Sequence, residues 1–209
     1  MSNSNNNTVN IDAKDRFARI LATENIHVQH SKSAHTASFN TQSRQLILPK
    51  WNEMSCQLYG MLVAHEVCHA LYTPADINSI HEIAERHGVD PAVVKDYINI
   101  IEDARIERLM KQKFPGLRRD FIAAYADLLD RDFFGISEKD PNHLDFPDRI
   151  NIHYKVGTVQ SVVSFDKTEE QIIHMTDRAE SWEDVLDVVE ILLDHMKNNK
   201  PEKPTKQSE

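Results

Sequence analysis

Apolar residues dominate positions 55–72, a stretch long enough for about five helical turns. Leu58 and Leu62 lie four positions apart, so they share one face of the predicted helix. Thr73 and Pro74 follow, and proline cannot continue a helix. The pattern therefore predicts one long helix that ends just before Thr73, with an apolar face that is buried or lines a cleft.

A second helical pattern begins after Asp90. An Asp before Pro91 is typical of a helix N-cap with proline at the first helical position, so a helix is predicted over residues 92 to about 111. Its apolar stripe is formed by Val94, Ile98, Ile101 and Leu109. Glu102 and Arg105 fall inside that stripe, and a carboxylate that faces a core is costly unless a cation neutralises it.

The rest of the chain predicts further helices around a small N-terminal sheet. Helices are predicted at Ile11–Glu24, Asp76–His87 and Leu117–Asp132, and two more begin at the capping signatures Thr168-x-x-Gln171 and Ser181-x-x-Asp184, the last ending near Lys197. Short strands are predicted at Ile26–His30, Thr36–Phe39 and Gln45–Leu48, with a turn at Asn40–Ser43. The fold class is therefore α+β, predominantly α.

Length and composition favour one folded unit. With 209 residues and 40% hydrophobic composition, the chain buries one good core, and two independent domains would be a tight fit. We expect a single domain over residues 11–197, with a C-terminal helical extension over about 115–197. The ends, 1–10 and 198–209, are polar and are predicted to be disordered.

Charge and cysteine content indicate which binding partners and which cellular compartment to expect. A net charge of −9 argues against a general nucleic-acid surface and against an anionic-membrane surface. Cys56 and Cys68 lie on the same predicted helix about 18 Å apart, too far for a disulfide, and free thiols are typical of a reducing compartment. Because neither a secretory signal nor an apolar run of membrane-spanning length is visible, we expect a cytoplasmic protein.

The first long helix carries the run His65-Glu66-Val67-Cys68-His69. Residues four apart lie one above the other on a helix, so the two imidazoles can hold one metal ion. Glu66 sits about a third of a turn away, within reach of a water on that ion. An H-E-x-x-H run predicts a Zn²⁺ ion held by His65 and His69, with Glu66 as general base.

A catalytic zinc ion takes three protein ligands and a water, so one more donor is needed. Glu102 is the preferred candidate because it lies in the apolar stripe of the second helix. Asp103 is the alternative, since Asn99, Asp103 and Ile106 form a neighbouring stripe that also fits the inward side. The carboxylate that is not the ligand is expected to accept a hydrogen bond from a zinc-bound histidine. The alternative for Glu102 is an ordinary ion pair with Arg105 within the helix.

Together, H-E-x-x-H and the later run Asn99-x-x-Glu102-Asp103-x-Arg105-Ile106-Glu107 resemble the peptidase-like portion of the von Willebrand A-associated metallopeptidases of T4-type tailed phages. A more distant likeness is to proteins of the cobaltochelatase-subunit type. The resemblance is strongest over Leu58–Met110 and weaker over 146–155 and 179–185. It implies a zincin-like, gluzincin-like fold in which Glu102 is the third ligand, and a phage protein acting in the host cytoplasm.

The sequence departs from that family in one respect. The metal site of a von Willebrand A domain needs D-x-S-x-S, no such run occurs in the chain, and too few residues follow the peptidase part to build that domain. A separate partner protein in place of the missing module is therefore an expectation.

These residues predict a zinc metallopeptidase that hydrolyses peptide bonds with zinc-activated water and Glu66 as general base. The hairpin Thr36–Leu48 is the candidate edge for an extended protein or peptide substrate, although an ordinary packing hairpin fits equally well. The oxyanion donor is left open among His153, Tyr154, His81, Tyr97 and Arg105.

The alternative is a catalytically inactive, zincin-shaped protein that docks on a phage or host assembly. A structural zinc ion needs a fourth protein ligand and has no use for Glu66. The number of protein ligands at the metal therefore discriminates between the two hypotheses.

Overall fold

The computed structural model describes Ala18, Arg19, Ala22 and residues 26–51, 54–157, 159–160 and 163–199. Within these residues the protein is mainly helical, with a small three-stranded sheet. The strands are β1 (His27–Ser31), β2 (Ser38–Asn40) and β3 (Gln45–Pro49). The helices are α1 (Cys56–Tyr72), α2 (Ile77–His87), α3 (Pro91–Lys113), α4 (Leu117–Asp130), α5 (Phe146–Val156), α6 (Lys167–Arg178) and α7 (Trp182–Asn198), and a short 3₁₀ helix spans Pro141–His143.

The sheet has the strand order β1-β3-β2. β3 pairs with β1 in parallel and with β2 in antiparallel register, so β2 lies at one edge. The inward side chains Leu46 and Leu48 of β3 are fully buried, as period-two alternation requires. The hairpin predicted between residues 36 and 48 is therefore present as β2 and β3, which pack beside α1.

Side-chain caps define the start of each helix that carries the site. The Ser55 hydroxyl accepts from the N–H of Leu58 at the start of α1. The Asp90 carboxylate accepts from the N–H of Ala92, with Pro91 at the first position of α3. Because these groups satisfy amide donors that a helix start leaves free, the two helices begin where the sequence predicted.

Two buried clusters meet along α3. The first contains Ile106 and Met110 of α3 together with the sheet, α1 and α4. The second contains Ile98 and Ile101 of α3 together with α2, α5, α6 and α7. α3 is consequently buried on more than one face between residues 101 and 107, and it lies where the two clusters join.

Some predicted boundaries differ from the structure. Helix α6 is capped by Asp166 and Glu169, two residues before the predicted pair, because Asp166 reaches the first free amides. The helix predicted to end at Asp132 ends at Asp130, and Asp132 adopts a positive φ of 51°.

Helix α5 was not predicted at all. Its start carries the signals of a helix beginning, with Asp145 at the N-cap position and Pro147 in the first turn. The predicted helix 11–24 falls mostly outside the described residues, as do the predicted disordered segment 1–10 and residues 200–209 of the predicted disordered tail 198–209. Asn198, placed in the disordered tail by the sequence, is the last residue of α7.

None of the helices in the described part of the chain combines the length and apolar character needed to cross a lipid bilayer.

Because the two buried clusters join at α3, we expect the stability of the fold to be most sensitive to substitutions in this helix. Ile101→Ala removes a fully buried side chain from the second cluster, and we expect the free energy of unfolding to fall by about 2–5 kcal/mol. The control Ile122→Ala, at a side chain that is 46% exposed, is expected to change it by less than about 0.5 kcal/mol. Urea denaturation of both variants measures the difference, and equal effects would contradict this account of the core.

Candidate metal centre

His65 and His69 lie on the same face of α1, and their rings meet edge to face with centroids 5.2 Å apart. Each imidazole is partly exposed, at 14% and 16% of its side-chain surface. Both line a cleft of about 980 Å³ that runs between β2, α1, α3 and α5. The spacing in the sequence therefore brings both nitrogen donors to one wall of one cleft, as predicted.

Asp103 of α3 supplies a third donor directly opposite. Its Oδ1 lies 3.5 Å from Nε2 of His65 and 3.2 Å from Nε2 of His69. Among the described residues, this trio is the one group of His, Cys, Asp and Glu side chains whose donor atoms converge within 4.8 Å. Donors around a tetrahedral zinc ion with bonds near 2.0–2.1 Å are about 3.3 Å apart, so both distances fit a shared ion.

The proton on His65 is fixed by Glu107. Nδ1 of His65 lies 2.9 Å from Oε1 of Glu107. Burial acts to raise the pKa of Glu107, but Lys155, His65 and Lys111 together hold it well below the usual value. An ionised carboxylate only accepts hydrogen bonds, so Nδ1 of His65 donates to Glu107 and Nε2 is the ring nitrogen that faces the cleft.

The proton on His69 is fixed through Thr73. The Thr73 hydroxyl donates its single proton to Oε1 of Glu102 at 2.5 Å. Since that hydroxyl has no second proton, its contact of 3.0 Å with Nδ1 of His69 is one in which the imidazole donates. Nε2 of His69 is therefore the ring nitrogen that faces Oδ1 of Asp103. A carboxylate or hydroxyl acceptor behind each ring is the arrangement that metal-bound histidines require.

Glu102, preferred by the sequence as third ligand, does not join the trio. Glu102 is 1% exposed, and both of its carboxylate oxygens accept hydrogen bonds from Arg105, with Nε 2.7 Å from Oε2 and Nη2 2.7 Å from Oε1. The buried charge is thus neutralised by a guanidinium, and its link to the site runs through Thr73. The geometry places the alternative, Asp103, where the third ligand was expected and gives Glu102 the supporting role.

Arg105 also connects three segments of the chain. Its Nη2 donates to the carbonyl of Tyr72 at the end of α1, and its Nη1 donates to the carbonyl of Glu180 before α7. The Glu102–Arg105 pair therefore holds the end of the histidine helix against α3.

Glu66 lies beside the histidines in the same cleft but is not one of the three converging donors. It is 7% exposed, lines the cleft and accepts a hydrogen bond from the backbone N–H of Phe39 in β2. Burial raises the pKa of Glu66 to about 7, with Asp103 also raising it and His69, Lys155 and the Phe39 amide lowering it. The carboxyl group is thus kept out of the ligand set and close to neutral pH in its proton affinity, as a general base requires.

Lys155 of α5 closes the far side of the site. Its Nζ lies 2.9 Å from Oδ2 of Asp103 and 2.8 Å from Oε1 of Glu107, and Tyr125 also donates to that Glu107 oxygen. Burial lowers the pKa of Lys155, but the two carboxylates outweigh burial and hold it well above the usual value. The pKa of Asp103, which burial raises, is held far below its usual range chiefly by the Lys155 charge.

The remaining predicted residues lie farther from the chemistry. Asn99, exposed one turn before Asp103, lines the cleft. The five candidates for the oxyanion donor, His153, Tyr154, His81, Tyr97 and Arg105, are absent from the cleft wall. Tyr154, for example, donates to the carbonyl of Ile173 and to Asp177 instead.

Three residues of the centre were missed as functional candidates: Thr73, Glu107 and Lys155. Glu107 lies four residues after Asp103, so the helical period put both acids on one face of α3. Thr73 was used only to end α1. Lys155 had no signal of its own, because the helix that carries it was not predicted. Cys68 is a free thiol, and burial raises its pKa well above the usual value, so it stays outside the donor set.

Comparisons of the chain with protein-family models, with curated proteins and with solved structures gave no match. The resemblance to the phage metallopeptidases therefore stays a prediction from the residues.

The Glu102–Arg105 pair allows a direct test of the two carboxylates. Arg105→Met leaves the Glu102 charge buried without its partner, and we expect unfolding to become easier by about 3–5 kcal/mol. The double variant Arg105→Met/Glu102→Met removes both charges and should recover most of that loss. Urea denaturation of the metal-free proteins measures both.

The same double variant separates a supporting residue from a ligand. We expect it to bind Zn²⁺ roughly 10- to 100-fold more weakly than the wild type, the range typical of groups behind a ligand. Complete loss of zinc binding in a folded double variant would return Glu102 to the ligand set.

Proposed function

We propose that the protein is a zinc-dependent hydrolase that cleaves peptide bonds, with His65, His69 and Asp103 as metal ligands. The observation that carries the proposal is the convergence of three possible metal donors. Nε2 of His65, Nε2 of His69 and Oδ1 of Asp103 lie within 4.8 Å of one another, while Nδ1 of each ring is held by Glu107 or Thr73 behind it. One cation between the three atoms would bind all of them at once.

The donor set fits zinc with an open coordination position. Two imidazoles and one carboxylate are ligands that catalytic zinc uses, whereas a structural zinc ion takes four protein ligands. Within the described part of the chain, no fourth His, Cys, Asp or Glu donor joins the group. The same donor set also holds Fe²⁺ in oxygenases. Glu66 favours a hydrolase over an oxygenase, because hydrolysis needs a base beside the open coordination position to accept a proton from water.

Each side chain then has a defined task. When bound, the zinc ion supplies a Lewis acid that polarises the scissile carbonyl and lowers the pKa of water. Glu66, held by the Phe39 amide, accepts the proton of the attacking water and returns it to the leaving amine. Glu107 and Thr73 keep both imidazoles in the tautomer that binds metal.

The shape of the cleft supports a polypeptide substrate. Residues 36–42, which include edge strand β2, form one wall, so an extended chain has a strand edge beside the metal ligands. Apolar side chains make up much of the remaining wall, including Trp51, Phe133 and Ile77. Phe133 and Ile77 are 48% and 50% exposed, so both are accessible to a ligand in the cleft.

The wider biological setting belongs to the same proposal. A phage origin, action in the host cytoplasm and a separate partner protein rest on the resemblance of the two motifs. The competing function, an inactive protein that docks on an assembly, would leave Glu66 without a task. The ligand count favours the enzyme.

The choice of third ligand predicts a graded set of affinities. Asp103→Asn is expected to weaken zinc binding more than about 100-fold, because it removes a charged donor, whereas Thr73→Val is expected to weaken it roughly 10- to 100-fold by releasing His69. Asp96→Asn removes a charge from an exposed position on the same helix and serves as the control. Competition with a zinc chelator measures all three. Unchanged affinity in Asp103→Asn would reject the proposed ligand set.

The role of Glu66 predicts a separation of binding from catalysis. Glu66→Gln should keep one zinc ion per chain and lower hydrolysis of a denatured protein by at least about 100-fold, the scale of general-base catalysis. Glu82→Gln, at an exposed position on α2, is the matched control. Elemental analysis measures the metal, and mass spectrometry of the peptide products measures cleavage. Full activity in Glu66→Gln would make the assigned mechanism wrong.

A further inference from the structure

The proposed reaction assigns no role to Lys155, whose ammonium group is buried. It extends from α5, the helix that packs against α3 beside the metal ligands. Its side chain is 11% exposed, and its Nζ donates to one oxygen of Asp103 and to one oxygen of Glu107. A single cation therefore contacts both the proposed third ligand and the residue that orients His65.

The two oxygens of Asp103 face different partners. Oδ1 faces Nε2 of His65 and Nε2 of His69, while Oδ2 is bound by Lys155 at 2.9 Å. A carboxylate with both oxygens free can bind a metal through one or both of them. With Oδ2 held by an ammonium group, only Oδ1 is available to an ion between the histidines.

We propose that Lys155 is a positioning residue that restricts Asp103 to a single metal-binding oxygen and so preserves an open coordination position. This inference rests on the metal centre of the proposed function. A positive charge this close to a metal site repels the ion, so attraction of the metal does not explain its place. Control of the geometry does, because a second oxygen from Asp103 would add a fifth donor and crowd the position that water or substrate needs.

Lys155 also connects two of the proposed ligands, Asp103 and His65. Oε1 of Glu107 receives Nζ of Lys155 at 2.8 Å and Nδ1 of His65 at 2.9 Å. The ammonium group thereby links Asp103 on α3 to His65 on α1 through Glu107. The relative positions of one nitrogen ligand and the oxygen ligand are set by one side chain from a third helix.

Lys111 provides a matched control for the charge. Its Nζ lies 2.9 Å from Oε2 of the same Glu107, and this ion pair does not involve Asp103. Lys111→Met and Lys155→Met each remove one positive charge from Glu107, and only Lys155→Met also frees Oδ2 of Asp103. A difference between the two variants therefore isolates the contact with Asp103.

The test uses Co²⁺ as the metal probe, because its visible absorption is stronger in four-coordinate than in five-coordinate sites. We expect Lys155→Met loaded with Co²⁺ to lose about twofold or more of the visible absorption per bound ion as Asp103 becomes bidentate. Lys111→Met is expected to match the wild type. An unchanged spectrum in Lys155→Met, or an equal change in both variants, would overturn the proposal.

A second variant covers the case in which Lys155→Met does not fold. Lys155→Gln removes the charge, and its shorter side chain draws the N–H donors away from Oδ2 of Asp103, so we expect the same direction of spectral change. The spectra do not depend on catalysis, so a protein that binds Co²⁺ but cleaves nothing leaves this inference standing. A wild-type protein that binds no Co²⁺ would overturn both the metal centre and the role of Lys155.

Discussion

The buried acids of α3 are the constraint on which the site depends. Glu102, Asp103 and Glu107 lie within two turns of one helix, and the side chains of Glu102 and Glu107 are 1% and 4% exposed. Each buried carboxylate needs a compensating charge or a set of donors, or the helix could not occupy the centre of the fold. Arg105 satisfies the first acid, and Lys155 and Lys111 with donors from neighbouring helices satisfy the others.

That requirement also fixes the register of α1 against α3. Glu107 accepts from His65, Thr73 links His69 to Glu102, and Arg105 donates to the carbonyl that ends α1. Sliding one helix past the other by a single turn, about 5.4 Å, would break all of these bonds together. The positions of the histidines are therefore set by polar contacts on both sides, in addition to the apolar packing of Leu58 and Leu62.

The elements whose signals are local could be predicted from the sequence. Asp76 and Asp90 cap helices as expected, the β2–β3 hairpin is present, and His65 and His69 share the cleft. The choice between Glu102 and Asp103 as the proposed third ligand could not be made from local signals. A helical wheel identifies the inward face only when one face is buried, and α3 is buried on several faces between residues 101 and 107. Glu102 and Asp103, 100° apart on such a helix, both face inward, and only the placement of Arg105 and Lys155 separates their roles.

In the proposed function, helix α1 supplies both two metal ligands and the general base, because Glu66 is held apart from the histidines. His65 and Glu66 are neighbours in sequence, yet the imidazole is oriented by α3 and the carboxylate by the edge strand β2. A base tethered to the acids of α3 would compete with Asp103 for the proposed ion, whereas a base held by the Phe39 amide stays at the cleft wall. Because that amide belongs to the strand that lines the cleft, a polypeptide lying along β2 would meet the proposed base and the proposed metal ligands together. The small sheet thus lines the candidate site, even though it supplies none of the proposed ligands.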